Sequence, residues 1–236
     1  MTTRNEIAKR IESLLDASAE LRARLAARPQ GEAARDALRQ WQAERLQREH
    51  ADIVANPLYT KTALFFLSDI YGPKDLSRHE EEVRRILPVM KAVLPEAGLD
   101  TVADAIEVNT ISESLDTDML EALGQDVFAL DIDKWVAAYK KVGRRDDRER
   151  QIALIASLGR SLDRLTRKPF IGTALSMMKK PAEIAGLSDL QSFLERGYDA
   201  FRSMKGSSAA FVRRVTERET ELMNEWLPEE RVAASN

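Results

Sequence analysis

Apolar side chains recur at intervals of three and four residues along most of this chain, the spacing that gathers them on one face of an α-helix. In residues 3–27 the steps alternate between four and three, which is typical of a narrow seam that packs against another helix. Thr3 followed by Glu6 predicts a capping box at the start of this helix. The seam consists of Ile7, Ile11, Leu14, Ser18, Leu21 and Leu25.

The segment Arg28-Pro29-Gln30-Gly31 interrupts this pattern, and a second helix is predicted over about 32–54. Two helices joined by so short a break form an antiparallel hairpin. The chain is therefore divided into an N-terminal helical hairpin (1–55), a main helical body (56–228) and a frayed tail (229–236). The hairpin is interpreted either as the first layer of the bundle or as an arm that projects and dimerises.

The main body continues the same periodicity, and Val and Ile never alternate with polar residues for long. Only ten Gly and eight Pro occur in the 236 residues, which favours helix over sheet. The predicted fold is all-α, a single multi-helix bundle of roughly nine helices. Beyond the hairpin, helices are predicted at about 59–71, 77–94, 99–123, 131–142, 149–167, 170–178, 187–204 and 209–227.

Three local features carry further predictions. Gly159 lies in mid-helix, where glycine costs about 1 kcal/mol relative to alanine, so another helix is expected to approach it closely. Residues 143–150 (GRRDDRER) are predicted to form a charged turn whose arginines either pair with the neighbouring carboxylates or grip an anion. Ser188 with Gln191 predicts another capping box.

Residues 57–95 combine the densest aromatic cluster of the chain with its sharpest break, at Gly72-Pro73. Asp69 interrupts the aromatic helix, and a carboxylate buried there must be paired or protonated. One interpretation is a structural ion pair with Arg78, Arg84 or Arg85. The other is a polar anchor in an aromatic-lined ligand pocket. The candidate pocket residues are Tyr59, Phe65, Phe66, Asp69, Tyr71 and Arg78.

Composition narrows the classes of function. The chain has 36 basic and 39 acidic side chains, a formal net charge of −3, so we do not expect its whole surface to bind nucleic acid. A local basic segment, 202–215, precedes and opens the last predicted helix, where free N–H groups can bind an anion. An ordinary solvated turn is the alternative interpretation. The candidate anion-binding residues are Arg202, Lys205, Arg213 and Arg214.

Catalytic and metal-binding motifs are not found. The absence of cysteine excludes disulfides, thiol catalysis and thiolate metal sites. Neither histidine, His50 or His79, follows a glutamate at the Glu-x-x-His spacing of di-iron bundles, and no phosphate-binding glycine loop occurs. We therefore expect no metal, no cofactor and no assignable catalytic residue. Without a signal-like segment or an apolar run of about 20 residues, a cytoplasmic protein with no membrane span is expected.

The run Ala63-Leu64-Phe65-Phe66-Leu67-Ser68-Asp69-Ile70-Tyr71-Gly72-Pro73 resembles the signature of an uncharacterised bacterial family named for a Phe-Phe-Leu-Glu-Glu-Leu-Tyr motif. This chain has Ser68 and Asp69 where the motif has two glutamates, so a carboxylate remains only at Asp69. The resemblance covers most of the chain after about residue 35 and implies no established activity. Later stretches that are similar include Arg150-Gln151-Ile152, Leu158-Gly159, Pro181-Ala182, Ala185-Gly186-Leu187, Leu190-Gln191, Phe193-Leu194-Glu195 and Arg218-Glu219.

The predicted function is a non-enzymatic binding or interaction module. Its expected partner is another protein, or a second copy of the chain bound through the N-terminal hairpin. One alternative is an enzyme, or a protein that binds a cofactor or small ligand, with its pocket near Asp69, Tyr71 and Arg78. The other is binding of an anion or nucleic acid through residues 202–214.

Overall fold

The computed structural model of this chain describes residues 3–70 and 77–228, except for the side chains of Ile70, Ser77, Arg78 and Val93. The described residues form α-helices and no strands, so the all-α prediction is confirmed, with eleven α-helices in place of roughly nine. They are α1 (Arg4–Ala26), α2 (Gly31–Glu49), α3 (Ala51–Val54), α4 (Thr60–Phe65), α5 (Ser77–Val93), α6 (Glu96–Leu123), α7 (Ile132–Val142), α8 (Arg145–Thr166), α9 (Ile171–Ile184), α10 (Ser188–Ser203) and α11 (Ser208–Trp226).

The N-terminal helix begins with the predicted capping box. The backbone N–H of Glu6 donates to the hydroxyl of Thr3 at 3.3 Å, and the Glu6 carboxylate accepts from the Thr3 N–H at 2.6 Å. The seam of α1 lies against the rest of the chain, chiefly α5 and α6: Ile7, Ile11, Ser18 and Leu25 are buried, and Leu14 and Leu21 are half-buried. The buried residues of this contact are Ile7, Ile11, Leu15, Val83, Leu87, Leu99, Ala103 and Ile106. Self-association through the hairpin stays a prediction, and it would have to use other side chains.

A second core lies where α2, α6, α7 and α11 meet. Trp41 of α2 stacks on Trp135 of α7, with ring centroids 4.7 Å apart. Tyr139 contacts Trp226 edge to face at 5.4 Å. Leu38 of α2 and Met119 of α6 are fully buried beside these rings. All three tryptophans of the chain therefore gather in one region, which was not evident from their spacing.

A third core joins α3 and α4 to α8, α10 and α11. It contains Ile53, Tyr59, Ala63, Phe201, Met204, Phe211 and Val212. Gly159 of α8 lies against α11 here, since a Cβ atom built on it would be 2.3 Å from Cγ2 of Val212. The prediction of a close helix approach at Gly159 is confirmed.

The charged segment 143–150 was wrongly predicted as a turn. The change of direction is confined to Gly143 and Arg144, which have φ values of 62° and 53°, and α8 begins at Arg145. Asp146 and Asp147 lie in its first turn, where the positive end of the helix dipole favours carboxylates. The arginines pair within the chain: Arg144 with Asp118 and Asp147, Arg145 with Glu149, and Arg150 with Glu107.

Helices α9 and α10 form a hairpin near the end of the chain. The capping box predicted at Ser188 is wrong, because Leu187 is the N-cap residue and the side chain that caps this end comes from α5: the Glu82 carboxylate accepts from the Leu190 N–H at 2.7 Å. The side-chain amide of Gln191 instead donates to the carbonyl of Leu175 at 2.7 Å, which ties α10 to α9. In residues 3–70 and 77–228, none of the helices combines the length and the apolar character that crossing a membrane requires.

Candidate functional site

Tyr59 and Phe66 pack in the third core, whereas Phe65 lies outside it. The ring of Tyr59 lies 5.5 Å from Phe211, and Phe66 contacts both Phe201 and Phe211 at about 6 Å. Phe65 turns toward Phe193, at 5.5 Å. Tyr59 and Phe65 are both buried. Of these candidates, Phe66 is the one that lines the cleft described below.

Asp69 lies in a single π-helical segment, Phe66–Ile70, that continues α4. Its carboxylate is 5% exposed and accepts from Arg196 of α10, at 2.7 Å from Nη2 and 3.1 Å from Nε. The hydroxyl of Ser68 also donates to it, at 2.8 Å. Asp69 therefore anchors α10 to the end of α4 through an ion pair whose partner lies 127 residues away.

Two of the three arginines that were expected to pair with Asp69 have other partners. Arg84 pairs with Asp16 at 2.8 Å, and Arg85 donates to the backbone carbonyl of Ala185 at 3.2 Å. Tyr71, Gly72-Pro73 and the side chain of Arg78 lie outside the described part of the chain. A pocket formed by Asp69, Tyr71 and Arg78 stays a prediction.

A cleft of about 70 Å³, partly open to solvent, lies between α3 and α4 on one side and α8 and α11 on the other. Its walls are apolar except at one end. The close approach at Gly159 forms part of the wall, with Val212 opposite. The lining residues are Leu46, His50, Ile53, Val54, Ala63, Phe66, Leu67, Ile152, Ile155, Gly159, Phe211, Val212, Val215, Thr216 and Glu219.

The polar end of the cleft is formed by His50, Thr216 and Glu219. The Glu219 carboxylate lies 2.8 Å from Nε2 of His50 and accepts from Nη2 of Arg45 at 3.2 Å. Burial raises the pKa of Glu219, but the hydrogen bond of His50 and the charge of Arg45 outweigh it and hold the pKa below its ordinary value. Because the carboxylate is ionised, Nε2 of His50 is the donor in this contact.

Arg45 is held in place by aromatic rings. Its guanidinium carbon lies 5.8 Å from the ring centroid of Trp135 and 5.2 Å from that of Trp226, both within the range of cation–π attraction. The Nε and Nη1 atoms of Arg45 have no hydrogen-bond partner, which fits a guanidinium enclosed by ring faces. Arg45 thus brings a fixed positive charge to Glu219 from the side away from the cleft.

The grouping of His50 and Glu219 was not predicted from the sequence. His50 was considered only as a metal ligand, and Glu219 entered through the family resemblance in the pair Arg218-Glu219. They lie 169 residues apart. A glutamate within a predicted helix, flanked by other charged residues, gives no sign of facing inward. The available signal was that Glu219 lies four residues after Val215 and eight after Phe211, on the apolar face of the last helix.

Three of the four candidate anion-binding residues have partners within the chain. Arg214 pairs with Asp52 at 2.6 Å, and Arg213 lies 3.8 Å from Glu217. Arg202 lies over the ring of Tyr198, and Lys205 is an exposed turn residue with a φ value of 49°. Two of the four cations are therefore already neutralised by carboxylates, and binding of an anion by this segment stays a prediction.

A second buried charged cluster lies between α2 and α6. Asp116 accepts from the side-chain amide of Gln42 at 2.8 Å, and Arg39 contacts Glu113 at 2.5 Å and Asp116 at 3.8 Å. Burial raises the pKa of Asp116 to about 6, against the opposing charge of Arg39. None of these residues lines the cleft described above. Within the same residues, no group of three or more His, Asp or Glu side chains is placed to hold a metal ion.

Comparison with known proteins gives one match. The model of a family described as "Domain of unknown function (DUF8198)" matches residues 21–231, which include both sides of the cleft and its polar end. No curated protein and no solved structure matches the chain.

Proposed function

The chain belongs to the DUF8198 family, and we propose that it is a non-enzymatic binding protein whose cleft takes a small amphipathic molecule. The ligand would have a short aliphatic body and one polar end that donates a hydrogen bond. The observation that supports this proposal is the combination of apolar walls with an ionised carboxylate and a hydroxyl at one end of the same cleft.

The size of the cleft supports a small aliphatic group. A cavity of about 150 Å³ is sufficient for benzene, so 70 Å³ accommodates a few carbon atoms. Because the cleft is partly open, the rest of a longer molecule can extend into solvent. Phe66, Ile155 and Val215 offer the ligand apolar contact surface that is otherwise exposed to water.

The polar end supports a ligand that donates a hydrogen bond. The Thr216 hydroxyl already donates to the carbonyl of Val212 at 3.0 Å, which leaves its lone pairs as acceptors. The Glu219 carboxylate is likewise an acceptor, and its charge is balanced by Arg45 at 3.2 Å. A hydroxyl or amine is therefore a better match to this end than a carboxylate or phosphate.

The same contacts favour binding over catalysis. His50 and Glu219 are the titratable groups in the lining of the cleft, and they are engaged with each other. A general base or a nucleophile must be able to reach the substrate atom on which it acts. Glu219 is further restrained by Arg45, so these groups are suited to orient a polar end.

Titration of the full chain with 1-hexanol, followed by tryptophan fluorescence, tests the proposal. Trp135 and Trp226 both lie within 6 Å of the Arg45 guanidinium carbon, so a ligand that contacts Glu219 should change their emission. We expect saturable binding that is lost in Val215→Phe, which fills the cleft. Thr216→Val should weaken binding of 1-hexanol about fivefold, corresponding to one hydrogen bond of roughly 1 kcal/mol, and leave binding of n-hexane unchanged.

Thr220→Val is the matched control. Thr220 lies one turn beyond Thr216, and its hydroxyl makes the same kind of bond, to the Thr216 carbonyl at 2.8 Å, but it does not line the cleft. Equal weakening by both threonine substitutions, or unchanged binding in a folded Val215→Phe variant, would show that the cleft is not the binding site.

Two narrower statements are also part of the proposal. We propose that this family is the bacterial one named for the Phe-Phe-Leu-Glu-Glu-Leu-Tyr motif, supported by the position of Phe65 to Tyr71 inside the matched residues. We also propose a cytoplasmic location, supported by the absence of cysteine.

A further inference from the structure

Helix α9 carries a row of exposed apolar side chains. Phe170, directly before the helix, is 64% exposed, Met177 is 72% exposed and Ile184 is 85% exposed. Ala174 and Pro181 are exposed as well. The intervals between these five residues are four, three, four and three, which is the spacing of the seam in a coiled coil.

The opposite face of α9 is already used within the chain. Ala182 is buried, and a Cβ atom on Gly172 would lie 2.9 Å from the Tyr198 hydroxyl of α10. The carbonyl of Leu175 accepts from Gln191 of α10. Helix α9 is therefore fixed to the body by one face, and the exposed row lies on the other. In α1 a row with the same spacing is covered by α5 and α6.

The charge around the row indicates the kind of partner. Residues 168–184, the turn before α9 and α9 itself, contain three lysines and one acidic residue, although the chain as a whole has a net charge of −3. Lys180 lies three residues after Met177 and four before Ile184, so it borders the row. Within the described residues, Lys168, Lys179 and Lys180 form no ion pair.

We propose that this row is a docking surface for an acidic amphipathic helix of another protein. The partner would place apolar side chains at the a and d positions of its heptads against Phe170, Met177 and Ile184. Carboxylates beside its seam would face Lys180. The fourteen residues of α9 are about 21 Å long, enough for two heptads of contact.

The spacing distinguishes this occupant from two others. A helix on a lipid surface also spaces its apolar residues by three and four but buries a broad face, whereas a single row with these steps is the narrower seam that packs against one partner helix. A second copy of α9 would bring one lysine-bordered row against another without carboxylates to face them. An acidic amphipathic helix would cover the apolar row and place carboxylates near Lys180.

A designed peptide of three heptads tests the proposal, with leucine at a and d and glutamate at e and g. The control peptide has lysine at e and g. Fluorescence anisotropy of each labelled peptide with the full chain, at about 50 mM and 500 mM salt, measures the affinity. We expect the acidic peptide to bind at least tenfold more tightly than the control at low salt, with the difference shrinking at high salt.

Substitutions on α9 test whether the peptide binds at the exposed row. Met177→Asp should abolish binding of the acidic peptide, and Lys180→Glu should weaken it about fivefold. Both side chains are exposed, so circular dichroism is expected to show unchanged folding. Ile132→Asp, at a 46% exposed apolar residue on α7, is the matched control and should leave binding unchanged.

Three results would overturn the proposal. The first is equal or absent binding of the two peptides, or binding that Met177→Asp leaves intact. The second is a dimer in native mass spectrometry that Met177→Asp dissociates, because the occupant would then be a second copy. The third is co-sedimentation with phosphatidylserine vesicles that Met177→Asp abolishes, because the surface would then bind lipid.

Discussion

Replacement of Gly159 by alanine tests how closely α8 and α11 pack beside the cleft. In an unobstructed helix this change stabilises by about 1 kcal/mol, because alanine loses less backbone entropy than glycine on folding. Here the new Cβ would lie 2.3 Å from Cγ2 and 2.9 Å from Cγ1 of Val212. These atoms must separate by about 1 Å or more, and overpacking of this kind costs about 1–3 kcal/mol. The steric cost outweighs the helix propensity, so we expect Gly159→Ala to destabilise by about 1 kcal/mol.

A double-mutant cycle with Val212→Ala separates the two contributions. Val212→Ala alone removes buried methyl groups and should destabilise by about 1–2 kcal/mol. In that background the obstructing Cγ atoms are absent, so Gly159→Ala should become neutral or stabilising. The coupling free energy between the two positions is then about 1–2 kcal/mol, measured by urea denaturation of the four proteins.

Gly98→Ala provides the control for the helix-propensity contribution. The nearest atom to a Cβ on Gly98 is 3.6 Å away, an ordinary contact, so this change should stabilise the chain slightly. Additive effects of Gly159→Ala and Val212→Ala, within about 0.5 kcal/mol, would refute the close approach of the two helices.

Two further predictions concern buried carboxylates. The pKa of Asp116 is about 6 in the folded chain, against an ordinary value of 3.8. Between about pH 4 and 6 the folded chain therefore binds more protons than the unfolded chain. Because of this, the stability that Asp116 contributes falls as the pH rises through that range. Relative to the unsubstituted chain, Asp116→Asn should therefore gain about 3 kcal/mol in unfolding free energy between pH 4 and 7, and a difference independent of pH would contradict this. Arg196→Met should destabilise by about 2 kcal/mol by removing charged hydrogen bonds to Asp69. In thermal unfolding, adding Asp69→Asn should cost little more, whereas fully additive losses would show that the pair is not coupled.

Local features of the chain were predictable because they depend on neighbouring residues. The capping box needs Thr3 and Glu6 three residues apart, and both hydrogen bonds form as expected. Gly159 in an apolar helix predicted the approach of another helix because glycine otherwise weakens a helix. Helix periodicity likewise predicted the all-α fold, since the spacing of apolar residues records which face of each helix is buried.

Local signals also gave wrong predictions where the same residues suit two different conformations. The charged segment 143–150 contains alternating acidic and basic side chains, which suit a solvated turn and a helix alike. The helix is favoured by the carboxylates in its first turn and by partners on other elements, such as Asp118 for Arg144. Gln191 could have capped its own helix, but a carbonyl of α9 lies within its reach.

By itself, the sequence determined that the chain is all-α, where most of its helices lie and that each has an apolar face. Only the tertiary structure decided which buried charges meet: Asp69 with Arg196, and Glu219 with His50 and Arg45. It also decided that the seam of α1 is covered while the similar row on α9 is exposed. The physical reason is that periodicity specifies an apolar face without specifying its partner. The pairing follows from how all the helices pack together, and that depends on residues far apart in the chain.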